Sequence, residues 1–146
     1  MILPDVNVLV HGHRALDDDQ MRVREWLKTE VESRQPFALA DIVVAGFLRV
    51  ITHTKIFDPP SPLDKAVAYV DGLAGRANCL HVSAGPNHWP ILRDLLTNAD
   101  ARGNIVPDAH LAAIALEHGA TIATRDHGFA RFKGLRWLDP MRESKQ

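Results

Sequence analysis

Short apolar runs alternate with longer amphipathic segments along the whole chain. Five runs have the length of buried strands, at residues 1–4, 37–40, 79–82, 120–124 and 135–138. The segments between them carry apolar residues at helical spacing. Strands that alternate with helices are typical of a parallel sheet covered by helices on both faces. We therefore predict an α/β fold with a central, mostly parallel sheet of about five strands.

The length of the chain favours a single domain. With 146 residues it has enough chain to bury its own hydrophobic core. The sequence contains no repeat, no low-complexity tract and no segment that looks like an interdomain linker. We expect one domain over residues 1–140, followed by a flexible C-terminal tail at 141–146.

Charge and cysteine content narrow the classes of function. The chain has 17 basic and 18 acidic residues, so its charge excludes a broadly basic nucleic-acid binder, and any basic surface must be local. The single cysteine, Cys79, excludes an intramolecular disulfide and fits a reducing compartment. Because no secretory leader and no long apolar run are present, we expect a cytoplasmic protein without a membrane span.

Asp5 stands at the junction between the first apolar run and the helix that follows it. Ligands of open α/β sheets bind outside the carboxyl ends of the strands, which makes Asp5 a candidate site residue. An aspartate before an apolar helix is also an ordinary N-cap. Both interpretations stay open for Asp5 and for Asp41, which follows the second strand in the same way. The acids at 17–19 are interpreted as a cap and a first helical turn.

Two further acids are expected near Asp5. Asp126 follows the strand at 120–124, and Asp108 lies at the start of the helix that leads into that strand. If this strand neighbours the first one, the three carboxylates converge at one end of the sheet. Converging carboxylates repel each other unless a cation intervenes, and Mg²⁺ and Mn²⁺ prefer oxygen ligands. The pattern therefore predicts metal-assisted hydrolysis of a phosphodiester.

Short motifs around these acids match one known family in combination. They are Asp5-Val6-Asn7 and the segments 44–53, 107–113, 124–129, 128–132 and 135–140. Together they cover nearly the whole chain and resemble the PIN-domain ribonucleases. More narrowly, they are similar to the VapC toxins of type II (VapBC) toxin–antitoxin systems, in a mycobacterial-type subgroup. The resemblance implies a single PIN-like domain.

The resemblance also implies roles for individual residues. It makes Asp5, Asp108 and Asp126 the catalytic acids, with Asp5 and Asp108 as ligands of Mg²⁺ or Mn²⁺. Asn7 and Thr124 match residues that support the acids by hydrogen bonding. Arg125 would lie near the substrate phosphate. Asn7, Thr124 and Arg125 form the expected substrate-binding set.

The activity implied by the resemblance is that of a metal-dependent endoribonuclease. Such a toxin hydrolyses RNA and so inhibits translation and growth. The implied partners are a VapB-like antitoxin, the RNA substrate and a second copy of the chain in a homodimer.

One expected acid is absent from the sequence. The family usually presents a glutamate in the second helix, and Gly46 occupies that place here. Asp41, five residues earlier, is a possible substitute. The loss supports an alternative function, in which a PIN-like domain with a weakened acidic site binds RNA or protein without catalysis. Retention of Asp5, Asp108 and Asp126 argues for the enzyme.

Several other residues could carry chemistry but are interpreted as structural. His11 and His13 could suggest zinc, but no further ligands complete such a site, and we expect them in a surface loop. Cys79 is expected as a small core residue, and His110 as an ordinary helix histidine. A basic cluster could hold RNA beside the acids or could be a solvated face, and it comprises Arg125, His127, Arg131, Lys133 and Arg136.

Overall fold

Five short parallel strands form the centre of the fold in the computed structural model, which describes residues 1–143. They are β1 (Ile2–Pro4), β2 (Phe37–Ala40), β3 (Cys79–Val82), β4 (Thr121–Ala123) and β5 (Trp137–Leu138). Their order across the sheet is β3-β2-β1-β4-β5, and every neighbouring pair is parallel. This confirms the predicted α/β fold with a parallel sheet of five strands.

Helices form most of the connections, because parallel strands need long crossovers. Within the described residues they are α1 (Val6–His13), α2 (Asp18–Glu32), α3 (Asp41–Ile51), α4 (Leu63–Ala74), α5 (His88–Ala99), α6 (Ile105–His118), a 3₁₀ helix (His127–Arg131) and α7 (Pro140–Glu143). None of these helices is long and apolar enough to cross a membrane. The first residues of the predicted tail at 141–146 belong to α7. Residues 144–146 lie outside the described part of the chain.

The core lies on both faces of the sheet. All four residues of β2 are buried, and successive residues of a strand point to opposite faces, so both faces are covered. Large side chains without exposed surface fill the core, among them Leu3, Phe47, Ile122 and Phe129. Cys79 is partly buried in β3 and packs against this core, as expected of a structural cysteine.

Acidic side chains begin several helices. The carboxylate of Asp17 accepts a hydrogen bond from the backbone N–H of Gln20 at 2.8 Å, which confirms the cap predicted at 17–19.

Helix α6 begins at Ile105, two residues before the predicted start at Pro107. The first N–H groups of a helix lack intrahelical partners, so proline is tolerated anywhere in the first turn. A proline therefore does not fix the first residue of the helix, which is why the predicted start was wrong.

The register of β1 and β4 brings two chain segments together at the carboxyl end of the sheet. Pro4 pairs with Ala123, the last residue of β4. The backbone N–H of Asp5 then donates to the carbonyl oxygen of Ala123 at 2.9 Å. The residues that follow the two strands, Asp5 and Thr124, are therefore neighbours, as the sequence required for convergence of the acids.

Candidate active site at the carboxyl end of the sheet

The carboxylate of Asp5 is held by two polar side chains. The hydroxyl of Thr124, which has no exposed surface, donates to Oδ2 of Asp5 at 2.8 Å. The amide Nδ2 of Asn7 contacts the same Oδ2 at 3.3 Å and the Thr124 hydroxyl at 3.1 Å. The other oxygen of Asp5 accepts from the backbone N–H of Val6 at 2.7 Å, which also caps α1. Asp5 is thus both a helix cap and a carboxylate of fixed orientation.

Asp126 is connected to the same network. Its backbone N–H donates to the hydroxyl oxygen of Thr124 at 3.0 Å, and its carboxylate caps the 3₁₀ helix by accepting from Gly128 at 2.8 Å. The neighbouring backbone N–H of Arg125 donates to Oδ1 of Asn7 at 3.2 Å. Asn7 and Thr124 therefore join the segment after β1 to the segment after β4.

Asp108 completes the group from helix α6. It lines a groove of about 330 Å³ that also contains Asp5. Burial raises the pKa of Asp108 to about 6, and the charges of Asp126 and Asp5 add to this effect, while Arg131 opposes it. The structure therefore brings together the three acids that the sequence singled out.

The pKa of Asp5 is also raised. The main cause is burial, which the hydrogen bonds from Thr124 and Val6 oppose, and the charge of Asp126 raises it further. Negative charge is thus unfavourable at both Asp5 and Asp108 unless a cation is bound between them.

The donor set fits an open cation site better than a closed one. Among the described residues, no three side chains of His, Cys, Asp or Glu are grouped closely enough to enclose a metal ion. Mg²⁺ seldom uses such a cage, because it keeps several waters and takes one or two carboxylates together with substrate phosphates. Asp5 and Asp108, which share one groove, fit that requirement.

Gly46 lies in the groove at the place expected for a glutamate. A Cβ atom added there would come within 2.9 Å of Cγ2 of Val6, so a larger residue requires movement of Val6. Asp41 does not take over from within this groove. Its carboxylate accepts from the backbone N–H of Ile42 at 2.8 Å and lines a separate cavity of about 380 Å³ beside His81.

The histidines outside this site have structural surroundings. The surface loop expected for His11 and His13 is wrong, because both lie in the last turn of α1 and are partly buried. His13 packs against the rings of Phe47 and Tyr69, with centroids 5.8 and 5.0 Å away. Burial lowers the pKa of both histidines.

His110 also has a structural setting. Its ring packs on that of His88, with centroids 4.4 Å apart. The ring is partly buried within helix α6, in agreement with the helix histidine that was expected.

The basic cluster is divided by the fold. Arg136 donates to the carbonyl oxygen of Gly119, just before β4, and so lies at the opposite end of the sheet from the acids. His127 pairs with Asp139 at 2.7 Å. Arg131 remains close enough to the acids to lower the pKa of Asp108.

A residue that the sequence did not single out, Arg49, lines the groove with Asp5 and Asp108. The available signal was its spacing, three residues after Gly46 on the same helix. The sequence alone does not distinguish a helical arginine that lines a groove from one that only faces solvent.

Comparisons with known proteins agree with this architecture. The PIN domain profile matches residues 2–135, so the chain belongs to the PIN-domain family. Within that family the chain is similar to Ribonuclease VapC43 of Mycobacterium tuberculosis, with 41% identity over 141 residues, 97% of this chain and 96% of that protein. Ribonuclease VapC25 of the same organism is 40% identical over 140 residues, 96% of this chain and 99% of that protein.

The fold is also that of a solved VapBC structure. VapBC2 from Rickettsia felis, crystallised with a DNA fragment from its promoter, aligns with a TM-score of 0.70. The alignment covers 95% of this chain and 98% of that one, at 17% identity, and therefore concerns the fold alone.

Proposed function

We propose that this protein is a metal-dependent endoribonuclease that acts as the toxin of a toxin–antitoxin pair. The observation that carries the proposal is that Asp5 and Asp108 line one groove at the carboxyl end of the sheet, with Asp126 joined to Asp5 through the Thr124 hydroxyl. The similarity to proteins named Ribonuclease VapC supports the substrate class. The PIN domain in this proposal spans residues 1–140.

Asp5 and Asp108 hold Mg²⁺ or Mn²⁺ in the proposed site. A bound divalent ion supplies an activated water and stabilises the charge of the leaving oxygen. Asn7 and Thr124 fix the orientation of Asp5 through their hydrogen bonds, and Asp126 adds negative charge beside the ligands.

Substrate binding in this proposal involves the segment after β4. Arg125 follows the buried Thr124, and its charge acts on His11 and on Asp139. We propose that its guanidinium contacts an RNA phosphate at the edge of the site, because its backbone N–H donates to Oδ1 of Asn7 at 3.2 Å. Asn7 and Thr124 belong to the same substrate-binding set, because they determine where the acids stand relative to that phosphate.

The proposed biological role is inhibition of translation and growth by RNA cleavage in the cytoplasm. A VapB-like antitoxin would neutralise the protein, which the 41% identity to Ribonuclease VapC43 supports together with the fold shared with VapBC2. We also propose a homodimer. Expression without antitoxin should stop growth, whereas healthy growth at high levels of folded protein would count against the toxin role.

A cleavage assay tests the activity. Purified protein is incubated with total bacterial RNA in Mn²⁺, in Mg²⁺ and in EDTA, and RNA 5′ ends are sequenced. We expect discrete new 5′ ends with either metal and none in EDTA. If all RNAs stay intact with excess Mn²⁺ while the protein still binds RNA, the chain is a non-catalytic PIN-like binding domain instead.

A further inference from the structure

The groove that contains the acids is also lined by a cationic side chain. Arg49 lines it together with Gly46, and Asp5 and Asp108 lie in the same groove. The remaining walls are apolar and come from Val6, Ile42, Val43, Val50, Pro107 and Leu111. The charged groups that a ligand in this groove can contact are therefore two carboxylates and one guanidinium, and the rest of the lining is mainly apolar.

Arg49 is free to bind a ligand. It is exposed on α3, and within residues 1–143 its side chain makes no hydrogen bond and no ion pair. Arg131, the cation that acts on Asp108, differs because its Nε donates to the carbonyl oxygen of Gly128 at 2.8 Å. A guanidinium without a partner offers five donors in a planar fork that suits a phosphate.

The glycine at 46 explains why Arg49 has no partner. Residues three apart on a helix are neighbours, so a glutamate at 46 would stand beside Arg49 and could pair with it. A Cβ at 46 would lie 2.9 Å from Cγ2 of Val6, so such a side chain would require Val6 to move. The same substitution that removes an acid from the groove therefore leaves a cation unneutralised.

On this basis we propose that Arg49 is a substrate-positioning residue that binds a backbone phosphate of RNA in the groove that it shares with Asp5 and Asp108. The inference rests on the proposed function for its substrate class. RNA is a polyanion, so its approach to three carboxylates is opposed by repulsion, which a cation in the same groove offsets. Arg49 would hold the RNA strand in the groove that also contains Asp5 and Asp108.

The test is RNA binding under conditions without cleavage. A fluorescein-labelled single-stranded RNA of mixed sequence is titrated in Ca²⁺ with the wild type, Arg49→Ala, Arg49→Lys and Arg93→Ala, with fluorescence anisotropy as the readout. Arg93 is the matched control, because it is a solvent-exposed helical arginine whose one ion pair is a 4.0 Å contact with Asp94.

We expect Arg49→Ala to bind about tenfold more weakly than the wild type, and Arg49→Lys to recover part of the loss. The slope of log Kd against log salt should fall by about 0.7 in Arg49→Ala, the value of one phosphate contact to a single strand. Arg93→Ala should match the wild type in both respects. Circular dichroism checks that every variant is folded.

Equal Kd and equal salt slope for Arg49→Ala and Arg93→Ala would overturn the inference, as would absence of salt-dependent RNA binding by the wild type. The two proposals fail separately. Arg49-dependent binding by a protein that cleaves no RNA in Mn²⁺ overturns the enzyme but keeps the contact between Arg49 and an RNA phosphate. If the protein cleaves RNA but Arg49→Ala leaves RNA binding unchanged, the enzyme stands and the role of Arg49 is overturned.

Discussion

Two strand-to-helix corners of the sheet, one after β1 and one after β2, each carry an aspartate but have different surroundings. Asp5 follows β1 and accepts from the N–H of Val6 at 2.7 Å, while Asp41 follows β2 and accepts from the N–H of Ile42 at 2.8 Å. Only Asp5 has a buried threonine hydroxyl on its second oxygen and further acids nearby. An aspartate after a strand is therefore a local feature, and the neighbouring strand decides whether it becomes part of a site.

The comparison predicts opposite results for two matched substitutions. Asp5→Asn should lower RNA cleavage more than about 100-fold, because loss of a metal ligand exceeds the 10–100-fold typical of residues that only support one. Asp41→Asn should keep cleavage within about twofold of the wild type, since Asp41 lies in another cavity. Initial rates in Mn²⁺ measure both. Equal losses would show that the second corner belongs to the site.

Thr124 is the residue that distinguishes the two corners most clearly. Thr124→Val removes the hydroxyl that contacts Asp5, Asn7 and Asp126, so cleavage should fall about 10–100-fold. Folding stability should fall by about 1–3 kcal/mol, because buried partners lose their hydrogen bonds. Thr97→Val is the control, since Thr97 is exposed and its hydroxyl donates only to the carbonyl oxygen of Arg93. Denaturant titration with parallel rate measurements would separate the two losses.

Asp108 should weaken the folded state when no metal is bound. Its pKa rises from 3.8 to about 6 on folding, so the folded state binds its proton more tightly than the unfolded state does. Stability from this group is complete below the unfolded pKa and is lost as pH rises through the folded value. Asp108→Asn avoids that loss at neutral pH.

In EDTA near neutral pH, Asp108→Asn should therefore raise Tm by about 4 °C, equivalent to about 1 kcal/mol after solvent screening of a partly exposed carboxyl. The gain should shrink to zero as pH falls through the window between the two pKa values. Asp41→Asn serves as control and should show no such gain. A Tm of Asp108→Asn below that of the wild type in EDTA would contradict the coupling of the acids.

The sequence was sufficient for the fold because alternation of apolar runs reports burial directly. All five strands lie within the predicted apolar runs, with the strands predicted at 120–124 and 135–138 shortened to Thr121–Ala123 and Trp137–Leu138. The start of α6 was misplaced, since Pro107 is compatible with more than one place in a first turn.

The candidate site was only partly predictable. The convergence of the acids followed from strand adjacency, which the β1–β4 register provides. Two features depend on how α3 packs across α1. They are the short distance between Val6 and a Cβ added at Gly46, and the position of Arg49 in the lining of the groove. Spacing along the chain carries no information about that packing.

Direct measurement of metal binding is the sharpest test of the contrast between the two corners. Free Mn²⁺ gives an electron paramagnetic resonance signal that disappears on binding, so titration of the wild type, Asp5→Asn, Asp108→Asn and Asp41→Asn yields Kd for each. We predict that the wild type and Asp41→Asn bind Mn²⁺ equally, and that Asp5→Asn and Asp108→Asn each bind at least about tenfold more weakly. Unchanged binding by Asp5→Asn, or loss of binding by Asp41→Asn, would contradict a metal site built on Asp5 and Asp108.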